Sequence, residues 1–365
     1  MNPDLDIFQE LFVLEAANNH WGQISRGLDI VQTYGAIVRH HNVRAAIKFQ
    51  FRDRASFIHP SHVSREDIRY IKKIQATWLK DDEIDSLVNK VRSVGCIPMA
   101  TPFDEASVKL CEHYEFPIIK VASSDINDWP LLEEIYKLNK PVIVSTGGAS
   151  LKDIDDVYKF FSGRNIPLAI NHCVSLYPSE DSDLELSQIS FLKQRYPKSQ
   201  IGYSSHEQYS WAPSMYISYS LGARTWERHI DIPNEIHGVS PYCTLPAQAN
   251  EWFASFKKAK EMLGTSDTQR RNVSMAEKTY LDQLVRGVYA KTDIPSGTVL
   301  SKENFAELFF LAIPLQKGQL SCREILNGVT ITTDVLINEP LMLKHVDSPY
   351  SMYDSLSKLV AERGV

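Results

Sequence analysis

The sequence predicts an α/β protein, a (β/α)8 barrel followed by a small, mostly β domain. Three observations carry this. Eight short β-rich runs alternate with amphipathic helical patterns through the first 265 or so residues of a 365-residue chain. Several runs are almost continuously apolar, as strands buried on both faces must be. After Gly264 the grammar changes to short strands separated by turn signals. A doubly wound sheet is the structural alternative, but its glycine-rich first turn, G-x-G-x-x-G, is absent.

The eight strands are expected at 11–17, 43–51, 96–101, 117–123, 141–145, 167–173, 200–204 and 224–230. Between the first two, Ile24, Leu28, Val31 and Val38 fall on one helical stripe. The second gap has room for two helices, near 65–78 and 82–94. Asp104 and Asp128 stand as N-caps. Trp252, Phe253, Phe256 and Ala259 line the inner stripe of a last helix at 246–263. The domain reading is therefore a barrel over 1–264, a polar linker over 265–286, a β domain over 287–347 and a C-terminal tail over 348–365. Strands at 288–290, 329–332 and 341–343, with turns such as Asn327-Gly328, mark the β domain.

Composition narrows the function. The 39 Lys and Arg against 45 Asp and Glu leave a formal net charge of −6, which gives no basic field for nucleic acid. No apolar run reaches the 18 or so residues of a membrane span. The start, Met-Asn-Pro-Asp-Leu-Asp, lacks a signal peptide's basic region. Five scattered cysteines without a C-x-x-C fit reduced thiols, and the expectation is a cytoplasmic protein.

In such a barrel the active site lies at the C-terminal strand ends, and there polar residues collect. The first strand carries Glu15, followed by Asn19; the second Lys48 and Gln50; the third Thr101. The fourth carries Lys120 and Ser123, followed by Asp125, and the fifth ends at Ser145 before Thr146-Gly147-Gly148. The sixth leads to Ser175 and Tyr177, the seventh to Ser204 and His206, and the eighth carries Glu227 and His229. Lys48/Gln50 and Glu227/His229 are each two apart and share a strand face. Lysines inside apolar strands are costly unless used, and two aimed into one cavity suit a dianion such as phosphate. The Ser-Thr-Gly-Gly turn suits backbone amides around an anion. Two imidazoles on consecutive strand ends could reach one metal ion, or simply be hydrogen-bonded histidines. Cys173 follows His172, so the two point to opposite faces and do not form a catalytic pair.

These motifs, in this order, resemble the phosphoenolpyruvate-dependent sialic acid (nonulosonate) synthases, the NeuB-like family. The matching segments are Glu15-Ala-Ala-Asn-Asn-His20-Trp-Gly22, Lys48-Phe-Gln50, Thr101-Pro-Phe103, Lys120-Val-Ala-Ser123, Val144-Ser-Thr-Gly147, Gly202-Tyr-Ser-Ser-His206 and Glu227-Arg-His229. Residues 289–347 resemble the family's antifreeze-like (SAF) domain. The resemblance implies a divalent metal, Mn²⁺ foremost with Mg²⁺ or Co²⁺ as substitutes, on His206 and His229. It implies phosphoenolpyruvate held by Lys48, Lys120, Ser123, Ser145 and Ser204 near Thr101, acid–base work for Glu15 or Glu227, and a sugar aldehyde beside Asp125 and Tyr177. It implies a domain-swapped homodimer and a 2-keto-3-deoxy sugar acid as product. The chain also departs from the family: Ser205 replaces an Asp, Ser175 an Asn, Asp125 a Glu, Ser240 an acid, and Ile313 an Arg. The departures fall on the sugar side, so an acceptor other than N-acetylmannosamine is expected. Two alternatives stand beside this reading: a metal-dependent aldolase or isomerase barrel, and a non-catalytic sugar-binding paralogue.

Overall fold

The structure is a computed structural model that describes residues 3–365 apart from 66, 235, 265–268, 322 and 325–327. Cys322, Asn327 of the expected turn and the start of the expected linker lie outside the described residues. The chain divides into two units, Met1–Gly264 and Thr265–Val365.

In the first unit eight parallel strands close into a barrel in sequence order. They are β1 (Leu11–Ala17), β2 (Arg44–Phe51), β3 (Ile97–Pro102), β4 (Ile119–Val121), β5 (Val142–Ser145), β6 (Leu168–Cys173), β7 (Gln200–Ser205) and β8 (Thr225–His229). The helices between them are α1 (Ile24–His41), α2 (Arg69–Ala76), α3 (Asp81–Ser93), α4 (Glu105–His113), α5 (Trp129–Lys137), α6 (Leu151–Ser162), α7 (Gln188–Arg195), α8 (Trp211–Ser220) and α9 (Pro246–Leu263). Asp104 and Asp128 cap α4 and α5 through Ser107 N and Leu131 N, as the sequence suggested.

Strand periodicity decides what each face sees. The outward residues Phe12, Leu14, Ile47, Val144, Ile170 and Trp226 pack under the helices. Phe12 alone meets the rings of Trp226, Trp252, Phe253 and Phe256 at 4.8–5.3 Å. Inward residues change character along the axis. Leu11, Val13, Ala46, Met99, Ile118, Ile143 and Ala169 fill the N-terminal end with Phe8 as a plug. One or two inward positions further on stand Glu15, Lys48, Thr101, Lys120, Ser145, Ser204 and Glu227, all buried. A dry floor thus supports a polar mouth.

The second unit opens with α10 (Met275–Asp282), inside the stretch the sequence read as linker. Its exposed apolar residues Met275, Tyr280 and Leu281 gave no stripe to recognise. Strand β9 (Gly287–Ala290) pairs with β10 (Phe309–Ala312), and β11 (Thr330–Ile331) with β12 (Val346–Asp347), both antiparallel. The expected strand at 341–343 is replaced by isolated bridges and a 3₁₀ turn at Leu343–His345. The expected tail holds helices α12 (Pro349–Met352) and α13 (Asp354–Ala361), after the short α11 (Phe305–Leu308). Val360 buries itself in this unit's core with Val288, Leu300 and Leu341, so the tail belongs to the fold.

Candidate active site

A cavity of about 390 Å³ opens at the C-terminal mouth of the barrel. Of the residues singled out in the sequence, Glu15, Lys48, Gln50, Thr101, Lys120, Ser123, Ser145, Ser175, Tyr177, Ser204, His206, Glu227 and His229 line it. Asn19 does not; it lines a neighbouring cavity of about 320 Å³ and ties its amide to Ile230 O at 2.8 Å. Asp125 lines neither. It sits in the turn after β4, and burial pushes its carboxyl up to about 6.

One wall gathers two buried lysines and two buried glutamates. Lys48 Nζ donates to Thr101 Oγ1 at 2.8 Å and ion-pairs with Glu15; Lys120 Nζ donates to Ser145 Oγ at 2.7 Å. Glu227 lies between the two ammonium groups, 3.7 Å from Lys48 and 3.8 Å from Lys120. Burial alone pushes the Glu227 carboxyl up, but Lys120 and Lys48 together hold it below the usual carboxylate range. Burial pushes Lys48 down to about 7, against the pull of Glu227. The two glutamates differ. Both Glu15 oxygens are engaged, one by Lys48 and one by the Ala17 amide at 2.7 Å. Glu227 Oε2 is buried without a hydrogen-bond partner among the described residues.

The turn after β5 completes this wall. Gly147 N donates to Ser123 Oγ at 3.0 Å, and a Cβ at Gly147 would stand 2.1 Å from Ser175 Oγ. Only glycine lets the chain pass so close to these two hydroxyls. Cys173 lines the cavity while His172 turns away and bonds Leu184 O at 2.7 Å, as strand alternation required.

The ends of β7 and β8 hold the histidines, with ring centroids 5.6 Å apart and Tyr177 4.1 Å from His206. His206 Nδ1 faces the Val174 carbonyl at 3.0 Å. A carbonyl only accepts, so Nδ1 carries the proton and Nε2 the lone pair. Burial pushes His206 down to about 4 and His229 well below its ordinary value. Both are neutral at pH 7, the form in which imidazole binds a metal. Two neutral imidazoles fit two positions of a divalent ion. Among the described residues no group of three or more His, Cys, Asp or Glu is arranged to hold one. Further positions would fall to water or substrate oxygens.

Behind the histidines lies an ion pair that the sequence gave no reason to single out. Arg228 meets Glu207 at 2.6 Å with both side chains 1% exposed. Arg228 also donates to Ser205 Oγ at 2.9 Å, Glu207 O at 2.7 Å and Thr244 Oγ1 at 2.8 Å. Ser214 Oγ donates to Glu207 at 2.6 Å. Ser205 leaves the position where the resemblance expects an acid without one, and Glu207, two residues on, supplies the buried negative charge. The Ser205 departure therefore does not leave Arg228 unpaired.

Comparison with known proteins agrees with this geometry. The NeuB family model matches residues 40–268, a span that takes in the end of α1 and everything from β2 through the barrel's last helix. This chain belongs to the NeuB family. The NeuB-family chain is 27% identical over 368 residues to the Bacillus subtilis spore coat polysaccharide biosynthesis protein SpsE, covering 93% of this chain and 94% of that one. It is 30% identical over 223 residues to human N-acetylneuraminate-9-phosphate synthase, covering 61% of each. A crystal structure of a Chromobacterium violaceum protein named for spore coat polysaccharide biosynthesis (protein E) superposes with a TM-score of 0.86. It is 34% identical, and the match covers 93% of this chain and all of that one. The protein is a sialic acid synthase-like enzyme. Among the described residues no helix is long and apolar enough to cross a membrane.

Proposed function

We propose that the enzyme condenses phosphoenolpyruvate with an open-chain sugar aldehyde, giving a 2-keto-3-deoxy sugar acid and phosphate. The observation that carries this is the pair of buried lysines flanking Glu227 in one cavity with two neutral histidines. Lys48 and Lys120, with Ser123, Ser145 and Ser204, hold the phosphate and carboxylate of phosphoenolpyruvate. His206 and His229 hold a divalent metal, Mn²⁺ by preference. When bound, the metal supplies Lewis-acid polarisation of the aldehyde oxygen. Carbon 3 of phosphoenolpyruvate attacks the aldehyde carbon, water adds at carbon 2, and the C–O bond to phosphate breaks. Glu227, with its free oxygen, orients that water and stabilises positive charge at carbon 2. Glu15 holds Lys48 in place and relays a proton only after that ion pair opens. Asn19 and Tyr177 face the acceptor.

An aldolase or isomerase with three protein metal ligands gains no support, since no third ligand joins the histidines among the described residues. The test is phosphate release from phosphoenolpyruvate with Mn²⁺ and a panel of hexoses, N-acetylhexosamines and pentoses. Release that requires one sugar class supports the proposal, and no release with any sugar refutes it. The homodimer belongs to the same proposal, and light scattering giving a monomer mass at micromolar concentration would remove it.

A further inference from the structure

Arg228 stands between Glu227 and His229 on β8, so its side chain leaves the strand on the face opposite both. There its guanidinium reaches the chain on either side of His206. It donates to Ser205 Oγ at 2.9 Å and to the Glu207 carbonyl at 2.7 Å, and it pairs with the Glu207 carboxylate at 2.6 Å. On its other side Arg228 Nε donates to Thr244 Oγ1 at 2.8 Å. Thr244 N in turn donates to the His229 carbonyl at 2.7 Å, and Thr244 O accepts from Asp231 N at 3.2 Å. One planar group thus ties both neighbours of the first histidine to a residue stitched onto the backbone of the second.

This network is dry and tightly bonded. Arg228 is 1% exposed and Glu207 not at all. The Glu207 carboxylate also accepts from Ser214 Oγ at 2.6 Å and from the Tyr203 hydroxyl at 3.4 Å. A buried ion pair is often replaced by apolar groups of similar volume without loss of stability. Stability alone therefore gives no reason for a guanidinium here. The spacing of the imidazoles does. A metal ion shared by two side chains needs both nitrogens aimed at one point, and the groups that hold ligands in place tune metal affinity.

We propose that Arg228 is a positioning residue: its guanidinium sets the spacing of His206 and His229, and with it the affinity and geometry of the metal they share. This rests on the metal reading above and adds to it the group that aligns the two ligands. The shape of the side chain matters as well as its charge. A lysine at 228 keeps the charge but has no planar fork to span Ser205, Glu207 and Thr244 together.

The test uses the full chain stripped of metal by chelation, with Co²⁺ as the probe, because its visible bands report coordination geometry. The variants are Arg228→Lys and the double variant Arg228→Met with Glu207→Met, which removes both charges together. The double variant should melt near the wild type yet bind Co²⁺ about ten- to a hundredfold more weakly, with altered bands. Arg228→Lys should fall between the two. Phosphoenolpyruvate binding without metal, read by calorimetry, should stay as in the wild type, since Lys48 and Lys120 make no bond to this network. Wild-type Co²⁺ affinity and bands in the double variant would overturn the inference. So would an equal weakening of Co²⁺ and phosphoenolpyruvate, the mark of a merely structural pair. If the double variant does not fold, Arg228→Lys decides, and wild-type affinity and bands in it would overturn the inference. A wild-type chain that binds no Co²⁺ is a different result. It would refute the metal reading and this inference with it.

Discussion

The lysine wall and the acceptor cavity around Asn19 are neighbours, built by opposite means. In the first, the charged groups Glu15, Lys48, Lys120 and Glu227 sit on strands and point inward by periodicity, and each lysine is bonded to another strand's hydroxyl: Lys48 to Thr101, Lys120 to Ser145. In the second, Arg52 comes from the loop after β2, Tyr70 and Lys73 from α2, and Tyr242 from the segment after β8. The lysine wall is thus fixed by the barrel itself, whereas the acceptor cavity depends on loops that can change without disturbing the fold. The departures from the family expected on the sugar side do not follow this division: Ser175 lines the lysine cavity, Ser205 binds Arg228 behind the histidines, and Asp125 lines neither cavity.

The largest effect expected bears on the two histidines of the lysine cavity. His206→Ala with His229→Ala should remove bound divalent metal and cut turnover by at least about a thousandfold, since Lewis-acid assistance is worth several kcal/mol. Elemental analysis and phosphate release check this, and full metal content in the double variant would break the assignment. Next comes the support behind those histidines. Arg228→Met should cost about 3–5 kcal/mol by leaving Glu207 buried without its counter-charge. That corresponds to a fall of about 10 °C in the melting temperature of a unit this size. Arg228→Met with Glu207→Met should recover much of it. An unchanged melting temperature in the single variant would show that the pair is not coupled to the fold.

A smaller effect sharpens the contrast with the acceptor cavity. Lys120→Met should weaken phosphoenolpyruvate binding about ten- to a hundredfold, the worth of a charge-assisted bond to an anion. Calorimetry measures it. The smallest effect is a fraction of a proton. Burial holds free Lys48 near 7, and a bound dianion favours its charged form. Phosphoenolpyruvate should therefore take up up to one proton on binding at pH 8, and its affinity should fall as pH rises above 7. Calorimetry in two buffers of different ionisation enthalpy reads this directly, and proton release would contradict it.

All eight barrel strands were legible because both faces of each strand are buried, which leaves β-rich apolar runs that no solvent-facing pattern interrupts. The site was legible for the same reason. A Lys or Glu inside such a run, as at 48, 120 and 227, stands out against its neighbours. Arg228 was hidden because it points away from the barrel lumen, between His229 and Glu227, where sequence alone does not separate a buried ion pair from a strand-end charge. Arg52, Tyr70 and Lys73 were hidden because a loop and a two-turn helix carry no period that aims a side chain. Asp125 was assigned to the cavity by resemblance, and the tight turn Ser123–Asp125 instead places Ser123 and Ser124 on it. In the second unit α10 is hidden in the sequence, and 353–365 reads equally as a helix or a frayed tail, because short helices with one buried residue or none leave little apolar pattern.

The central claim is that phosphoenolpyruvate is consumed by bond formation at carbon 3 with cleavage of its C–O bond. Phosphoenolpyruvate labelled with ¹⁸O in the bridging position, incubated with the full chain, Mn²⁺ and the accepted sugar, tests it most directly. The label should appear wholly in inorganic phosphate, in amounts equal to the 2-keto acid formed and only when the sugar is present. Label retained in the keto acid, or phosphate released without sugar, would contradict it.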